Sequence, residues 1–156
     1  MSTANIRVGL VGVTGYTGME LTRILALHPQ MELVRATSRK EAGLRLDALY
    51  PSLRGFAPGE LIISEPDPVD LASACEVVFL AIPHGAAMET AGELLQAGCK
   101  VVDLSADFRL RDPAVYAQWY KVDHTRTTEL GEAVYGLPEL YAEEMKAARL
   151  IANPGC

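Results

Sequence analysis

The stretch IRVGLVGVTGYTG, residues 6–18, leads from a short apolar strand into a turn with glycine at every third position. Residues 6–11 have the character of a strand, and residues 19–28 have the apolar spacing of a helix that ends at Pro29. Glycine permits a tight turn and leaves the backbone open to a ligand, while the free N–H groups at a helix start attract anions. The stretch therefore predicts a pyrophosphate site at the opening of a βαβ unit.

The spacing of the glycines is GxxGxxG rather than the commoner GxGxxG, and no GK[ST] follows, so the turn is not a Walker loop. The alternative is a glycine-rich turn that only connects a strand to a helix. Its position after the first strand favours the cofactor site. The predicted cofactor-binding residues of this turn are Gly12, Thr14, Gly15, Tyr16, Thr17 and Gly18.

Strands and helices alternate along the rest of the chain. We predict further strands at residues 32–37, 61–63, 77–82, 100–104 and 150–152, and further helices at residues 86–97, 112–119 and 139–148. Residues 44–50 are compatible with a short helix, residues 51–59 with a loop, and residues 121–137 with mostly irregular structure. This alternation predicts an α/β fold, a Rossmann-like, doubly wound, mostly parallel sheet with helices on both faces, formed by residues 1–156 as one domain. Ligands bind such sheets at the carboxyl ends of the strands.

The end of the second strand indicates which nicotinamide cofactor is bound. An NAD site usually has an acidic residue there, but Glu32 lies at the start of this strand. Ser38, Arg39 and Lys40 follow its end instead, and a hydroxyl with two cations suits the 2′-phosphate of NADP. We therefore predict NADP. The alternative is that Arg39 and Lys40 are solvated loop charges.

Two loops after later strands carry further candidates. Pro83, which precedes His84, is expected near the middle of the bound dinucleotide, and His84 either contacts a ligand or is a packed or solvated side chain. Arg109 is a candidate anion clamp, because a guanidinium matches phosphate or carboxylate oxygens. The alternative for Arg109 is a surface ion pair with Asp107 or Asp112.

The three cysteines are too few and too scattered for a disulfide framework or a zinc site, and no metal is predicted. Cys75 and Cys99 flank strands and are expected to be packing residues. Cys156 follows the last strand in the sequence NPGC, where it is either a nucleophile or simply the last residue.

The composition excludes several other classes of protein. Apolar residues make up 49% of the 156 residues and charged residues 22%, which is typical of a globular domain. The net charge of −6 argues against nucleic-acid binding. Because no signal peptide and no apolar run of about 20 residues is present, we expect a cytoplasmic protein with no membrane partner.

Together these segments resemble N-acetyl-gamma-glutamyl-phosphate reductase of arginine biosynthesis. The resemblance rests on the glycine turn and on three segments in the family's order: residues 103–109 (DLSADFR), 135–139 (YGLPE) and 153–156 (NPGC). Aspartate-semialdehyde dehydrogenase shares the glycine turn but resembles residues 105–109 less. A reductase of carrier-protein-linked substrates in lysine biosynthesis is also similar.

The resemblance implies a mechanism and a site. The thiolate of Cys156 would attack an acyl phosphate and release phosphate, and NADPH would then reduce the thioester to an aldehyde. Arg109 would help to hold the substrate phosphate, Ser105 would lie by the nicotinamide, and Asn153 belongs to the same substrate-binding segment.

Members of this family continue beyond the cysteine, so we expect that the substrate and dimerisation domain and the catalytic histidine are absent from this chain. Without a following helix, the thiol of Cys156 is expected to be less reactive and the chain inactive. Apolar surface left uncovered predicts homo-oligomers or partial disorder around residues 121–137. The competing hypothesis is a non-catalytic module that senses NADP(H) or partners another chain.

Overall fold

The computed structural model describes residues 5–155, which form six strands and seven helices. The strands are β1 Ile6–Val11, β2 Met31–Thr37, β3 Val77–Leu80, β4 Lys100–Asp103, β5 Val134–Tyr135 and β6 Leu150–Ala152. The helices are α1 Tyr16–Leu25, α2 Leu46–Leu49, α3 Pro68–Ala74, α4 Ala87–Gln96, α5 Pro113–Tyr120, α6 Thr127–Glu132 and α7 Pro138–Ala147. Two 3-10 turns, Pro51–Leu53 and Ala57–Glu60, follow α2.

All six strands form one parallel sheet in the order β2-β1-β3-β4-β6-β5. The chain leaves β1 for β2 on one side and returns for β3 on the other side of β1. The connections therefore reverse direction between β1 and β3, which is the position where doubly wound sheets bind ligands. The predicted Rossmann-like α/β fold is confirmed.

Two apolar clusters cover the two faces of the sheet. Val78 and Leu80 of β3 belong to the larger cluster, while Phe79 between them packs against the other. Successive side chains of a strand point to opposite faces, so β3 has apolar neighbours on both sides. The apolar run predicted as a strand with two covered faces is therefore confirmed, although the strand ends at Leu80 rather than at residue 82.

Aspartate and proline start two of the helices. The carboxylate of Asp112 accepts a hydrogen bond of 2.8 Å from the Ala114 N–H, as the sequence predicts. Asp67 accepts one of 2.9 Å from the Val69 N–H and starts α3, which the sequence analysis did not predict. Gly98 follows the end of α4 with a φ of +93°, as its predicted role at that end requires.

Several predicted boundaries are wrong. The first long helix begins at Tyr16 rather than at residue 19, so half of the glycine turn already belongs to α1. Residues 61–63 do not form a strand, because this segment has only isolated bridges, one from Ile62 to Arg45 and one from the following Ser64 to Thr37 of β2.

Residues 121–137 are more ordered than predicted, since they contain α6 and β5. Arg126 before α6 is ion-paired with Glu89 of α4 and Glu129 of α6, and β5 pairs with β6 at the end of the sheet. Of these stabilising contacts, the ion pair with Glu89 and the pairing of β5 with β6 join parts of the chain that are distant in sequence. Within residues 5–155, no helix has the length and apolar character needed to cross a membrane.

Candidate functional site

A cleft of about 540 Å³ opens at the carboxyl ends of β1, β2 and β3. It brings together seven predicted cofactor-binding residues from three separate loops: Gly12, Thr14, Gly15, Ser38, Arg39, Lys40 and Pro83. Six further residues line the cleft and were not predicted from the sequence: Val11, Pro66, Ala81, Ile82, Ala86 and Thr90. These six are apolar or small, so only their position after a strand or at a helix start distinguishes them.

The three glycines of the turn have different surroundings. Gly12 has a φ of +89°, and a Cβ atom there would lie 2.3 Å from the carbonyl oxygen of Ala81. A Cβ atom at Gly18 would lie 2.3 Å from the carbonyl oxygen of Gly12. The nearest atom to a Cβ at Gly15 would be 3.9 Å away. Gly12 and Gly18 thus allow close packing of the backbone, whereas Gly15 faces open space beside the cleft.

The backbone amides of the turn divide into two groups. The N–H groups of Gly12 and Val13 both donate to the Thr37 carbonyl oxygen at 3.1 Å and attach the turn to β2. The N–H groups of Tyr16, Thr17 and Gly18 have no acceptor within residues 5–155. Since the positive end of the α1 dipole lies at these amides, the turn offers an anion several donors.

Tyr50 stabilises the turn through a hydrogen bond to its backbone. Its hydroxyl donates a 2.9 Å hydrogen bond to the carbonyl oxygen of Val13. Burial raises the pKa of Tyr50, and nearby Glu41 acts in the same direction, so the hydroxyl keeps its proton. Tyr50 was not predicted, because a distance of 37 residues separates the two partners and no local pattern connects them.

The segment after β2 presents two cations to the cleft. The side chain of Ser38 is buried, and its Oγ accepts hydrogen bonds from the N–H groups of Lys40 and Glu41 at 3.3 and 3.4 Å. Arg39 and Lys40 are exposed, and neither has an ion pair in the described part of the chain. Glu32 lies near the opposite end of β2, as the sequence predicts.

The loop after β3 completes the cleft with Pro83 and Ala86. His84 is exposed and does not line the cleft, and its ring centroid lies 5.7 Å from that of Tyr120. The interpretation of His84 as a packed or solvated side chain agrees with this position.

Asp107 connects this loop to the rest of the domain. The carboxylate is fully buried and accepts three hydrogen bonds: Oδ1 from the Gly85 N–H at 2.6 Å and the Tyr116 hydroxyl at 2.7 Å, and Oδ2 from the Ala87 N–H at 3.0 Å. From sequence, Asp107 was interpreted only as a possible ion-pair partner of Arg109. A polar residue in a loop at the ligand edge of a parallel sheet was the signal available for a functional role.

Ser105 is buried and is not among the residues that line the cleft. Its N–H and Oγ donate to the Asp103 carboxylate at 2.9 and 2.7 Å. Burial raises the pKa of Asp103 to about 6, while the two hydrogen bonds from Ser105 oppose that shift. The position of Ser105 beside a nicotinamide stays a prediction.

Arg109 lies next to the final residues of the described chain. Its Nε donates to the Asn153 carbonyl oxygen at 2.7 Å and its Nη2 to the Leu104 carbonyl oxygen at 2.9 Å. The alternative of an ion pair between Arg109 and Asp107 or Asp112 is wrong for the described residues, since Arg109 donates to these backbone carbonyl oxygens and has no ion pair there. The structure thus brings Arg109 and Asn153 together, and their contact with substrate stays a prediction. Cys156 lies outside the described residues.

The other two cysteines are packing residues, as predicted. Cys75 and Cys99 are buried, and burial raises the pKa of both thiols, that of Cys75 to about 11. Within residues 5–155, no group of three His, Cys, Asp or Glu side chains has an arrangement that would hold a metal ion.

Comparisons with known proteins agree with this architecture. A family model described as "Semialdehyde dehydrogenase, NAD binding domain" matches residues 7–148. The chain is 60% identical over 151 residues to N-acetyl-gamma-glutamyl-phosphate reductase of Ectopseudomonas mendocina, and 53% identical over 151 residues to that of Laribacter hongkongensis. Each alignment covers 97% of this chain and 43% of the relative, so the chain spans less than half the length of these relatives.

Among solved structures, aspartate semialdehyde dehydrogenase II of Vibrio cholerae matches with a TM-score of 0.66 and 19% identity, over 97% of this chain and 42% of that chain. The enzyme of Candida albicans matches with a TM-score of 0.59 and 21% identity, over 70% of this chain and 32% of that chain. These similarities show a shared fold.

Proposed function

The chain belongs to the semialdehyde dehydrogenase family through its NAD-binding domain, and from this premise we propose that it is the NADP-binding part of an N-acetyl-gamma-glutamyl-phosphate reductase. The parent enzyme would reduce N-acetyl-gamma-glutamyl phosphate to N-acetylglutamate semialdehyde and release phosphate. The observation that carries the proposal is the cleft at the ends of β1, β2 and β3. Among the described residues, it lies at the start of α1, whose first amides have no acceptor, and it is lined by Arg39 and Lys40, which have no ion pair there. The relatives that are 53–60% identical support the substrate.

The glycine turn suits the pyrophosphate of a dinucleotide. A phosphate oxygen can approach Gly15 without meeting a side chain, and the amides of Tyr16 and Thr17 would donate to it. Tyr50 and Thr37 hold the turn from the protein side, so little ordering is required when the ligand binds. When bound, the cofactor would supply the hydride.

The segment after β2 supports NADP rather than NAD. A 2′-phosphate would lie near Arg39 and Lys40, which are free of other ion pairs in the part of the chain that the structure describes. None of the lining residues in that part carries a carboxylate that would repel the phosphate. Charge-assisted hydrogen bonds of this kind contribute about 1.5–3 kcal/mol each.

The substrate would bind on the other side of the cofactor site. Arg109 and Asn153 would hold the acyl phosphate, and Ser105 would lie by the nicotinamide. Cys156 would attack the acyl carbon, so that a thioester forms and phosphate departs with the bonding electron pair. The neighbouring backbone at Asn153 is fixed by Arg109, which would limit the positions open to the nucleophile.

Self-association and a cytoplasmic location belong to the same proposal. Large apolar side chains are exposed, with Trp119 at 72% and Leu140 at 68% of their full accessibility. Surface of this kind supports contact between copies of the chain, which light scattering would measure.

Removal of the two cations tests the choice of cofactor. For Arg39→Ala with Lys40→Ala, we expect an increase of about 10- to 100-fold in the Kd for NADPH and little change in the Kd for NADH, measured by calorimetry. The matched control is Arg54→Ala with Lys146→Ala, which removes the same two residue types outside the cleft. Equal affinity of the unmodified chain for NADPH and NADH would contradict the proposal.

A further inference from the structure

The loop between β3 and α4 has limited local support for its shape, from one hydrogen bond of 3.2 Å between the Ala86 N–H and the Pro83 carbonyl oxygen. Gly85 has a φ of +80°, and the residue that precedes α4, Ala86, has no side chain that could accept a hydrogen bond from the first helical amides. A helix start of this kind needs acceptors from another part of the chain. The Asp107 carboxylate supplies them to the N–H groups of Gly85 and Ala87, 22 and 20 residues away in sequence.

Asp107 is itself fixed by three neighbours. Its N–H donates to Ser105 Oγ at 3.1 Å, and its carboxylate accepts from the Tyr116 hydroxyl. Nδ1 of His124 accepts from the Arg126 N–H, so the ring proton is on Nε2, which donates to the Asp107 carbonyl oxygen at 2.9 Å. Burial raises the pKa of Tyr116, so its hydroxyl remains a donor. The carboxylate therefore has a single well-defined position.

Aromatic rings also contact the same loop. The ring of His84 lies against that of Tyr120, and Tyr120 stacks on Tyr116 with ring centroids 4.8 Å apart. The loop thus contacts Tyr120 through His84 and the Asp107 carboxylate through the amides of Gly85 and Ala87. The loop spans residues 81–86, and four of them, Ala81, Ile82, Pro83 and Ala86, line the cofactor cleft.

We propose that Asp107 is a positioning residue for the dinucleotide: by holding the amides of Gly85 and Ala87, it fixes Pro83 and Ala86 as one wall of the cleft. This inference rests on the proposed function, since the cleft is taken to hold the cofactor. Asp107 acts through the loop and does not touch the ligand. Its effect appears as a loss of affinity when the loop is released.

Asp107→Asn separates this role from packing, because the two side chains have nearly the same shape. A carboxamide has one acceptor oxygen, and its NH₂ group must then face a backbone N–H of the loop, either that of Ala87 or that of Gly85. We expect a Kd for NADPH about tenfold higher than that of the unmodified chain. Hydrogen exchange of the Gly85 and Ala87 amides should accelerate by a similar or larger factor.

Three variants complete the experiment. Asp112→Asn makes the same chemical change at the start of α5, outside the cleft, and should leave both the Kd and the exchange at Gly85 unchanged. Leu150→Ala destabilises the core at β6 and should leave the Kd unchanged below its unfolding midpoint. Tyr116→Phe removes one donor to Asp107 and keeps the ring, and it should raise the Kd two- to fivefold. This variant still tests the inference if Asp107→Asn fails to fold.

The outcomes separate this inference from the proposed function. If the unmodified chain binds NADPH and Asp107→Asn or Tyr116→Phe releases the loop amides with no loss of affinity, the positioning role is overturned and the proposed function stands. The same conclusion follows if Leu150→Ala weakens binding as much as Asp107→Asn does. If the unmodified chain binds no nicotinamide dinucleotide, the proposed function fails, and the inference fails with it.

Discussion

Gly15 differs from the other two glycines of the turn in what a side chain at its position would contact. At Gly12 and Gly18 a side chain would collide with the backbone of the protein itself, since carbonyl oxygens lie 2.3 Å from the Cβ positions. At Gly15 the protein leaves room, with the nearest atom 3.9 Å away, and the residue has a φ of −78° that any amino acid adopts. We therefore expect that glycine at this position serves the ligand rather than the fold.

Alanine substitutions distinguish these two requirements. We expect Gly15→Ala to change the free energy of unfolding by less than about 1 kcal/mol, because alanine in place of glycine before a helix has a small effect. Its methyl group should raise the Kd for NADPH by about tenfold or more, because it occupies the approach to the amides of α1. Urea denaturation and a fluorescence titration measure the two quantities.

Gly18→Ala is the contrasting variant. Its Cβ atom would force α1 away from the Gly12 carbonyl, so we expect a loss of about 2 kcal/mol or more in unfolding free energy. A Gly15→Ala chain that binds NADPH as tightly as the unmodified chain would show that the anion does not approach at this residue.

At the scale of elements, the segment between α5 and α6 contributes a buried, neutral histidine. Burial lowers the pKa of His124 in the folded state below its ordinary value of about 6.5. The unfolded chain therefore binds a proton at His124 more readily than the folded chain does. The stability from this group is complete above pH 6.5 and is lost as the pH falls through 6.5 toward the folded pKa.

His124→Gln tests this pH dependence, since glutamine can still donate a hydrogen bond to the Asp107 carbonyl oxygen. The quantity compared is the unfolding free energy of the unmodified chain minus that of the variant, as measured with urea. We expect this difference to be smaller at pH 5 than at pH 7.5. Asp103 has the opposite linkage, because its raised pKa makes the folded state gain stability as the pH falls below about 6. It is present in both chains, so it cancels in the comparison. A difference that does not change with pH would contradict the neutral form of His124.

Elements with strong local signals were predictable from sequence. The Asp112-Pro113 pair located the start of α5, and the glycine turn located the cofactor cleft. The same signal at Asp67-Pro68 was overlooked, because α3 is only seven residues long and a second proline, Pro66, suggests a loop.

Other features depend on contacts between distant residues, which periodicity does not reveal. Arg126 stabilises the start of α6 through Glu89, 37 residues earlier. Tyr50 and Asp107 support the cleft across 37 and 22 residues. The general position of the candidate site was therefore predictable, whereas the side chains that hold its loops in place required the three-dimensional structure.

At the scale of the whole molecule, the larger apolar cluster shields two thiols. Cys75 and Cys99 both belong to it, and burial raises the pKa of each. In a Cys156→Ser variant at pH 8, we expect both thiols to react with a disulfide reagent at least about 100-fold more slowly in the native protein than in urea, because the thiolate is the reactive form. Absorbance of the released product measures the rate, and rapid native labelling would contradict the burial of these side chains.

The strand order also affects how the protein folds during synthesis. β1 lies between β2 and β3 in the sheet and precedes both in the chain, but its neighbour β3 begins only at Val77. Ribosomes add about 5–20 residues per second, so one edge of β1 waits several seconds for its partner. During this interval the apolar strand has unpaired backbone groups, which another nascent chain or a chaperone can contact. The strand order that creates the ligand crevice thus also delays the crevice, because β1 and β3 pair only after about half of the described chain has left the ribosome.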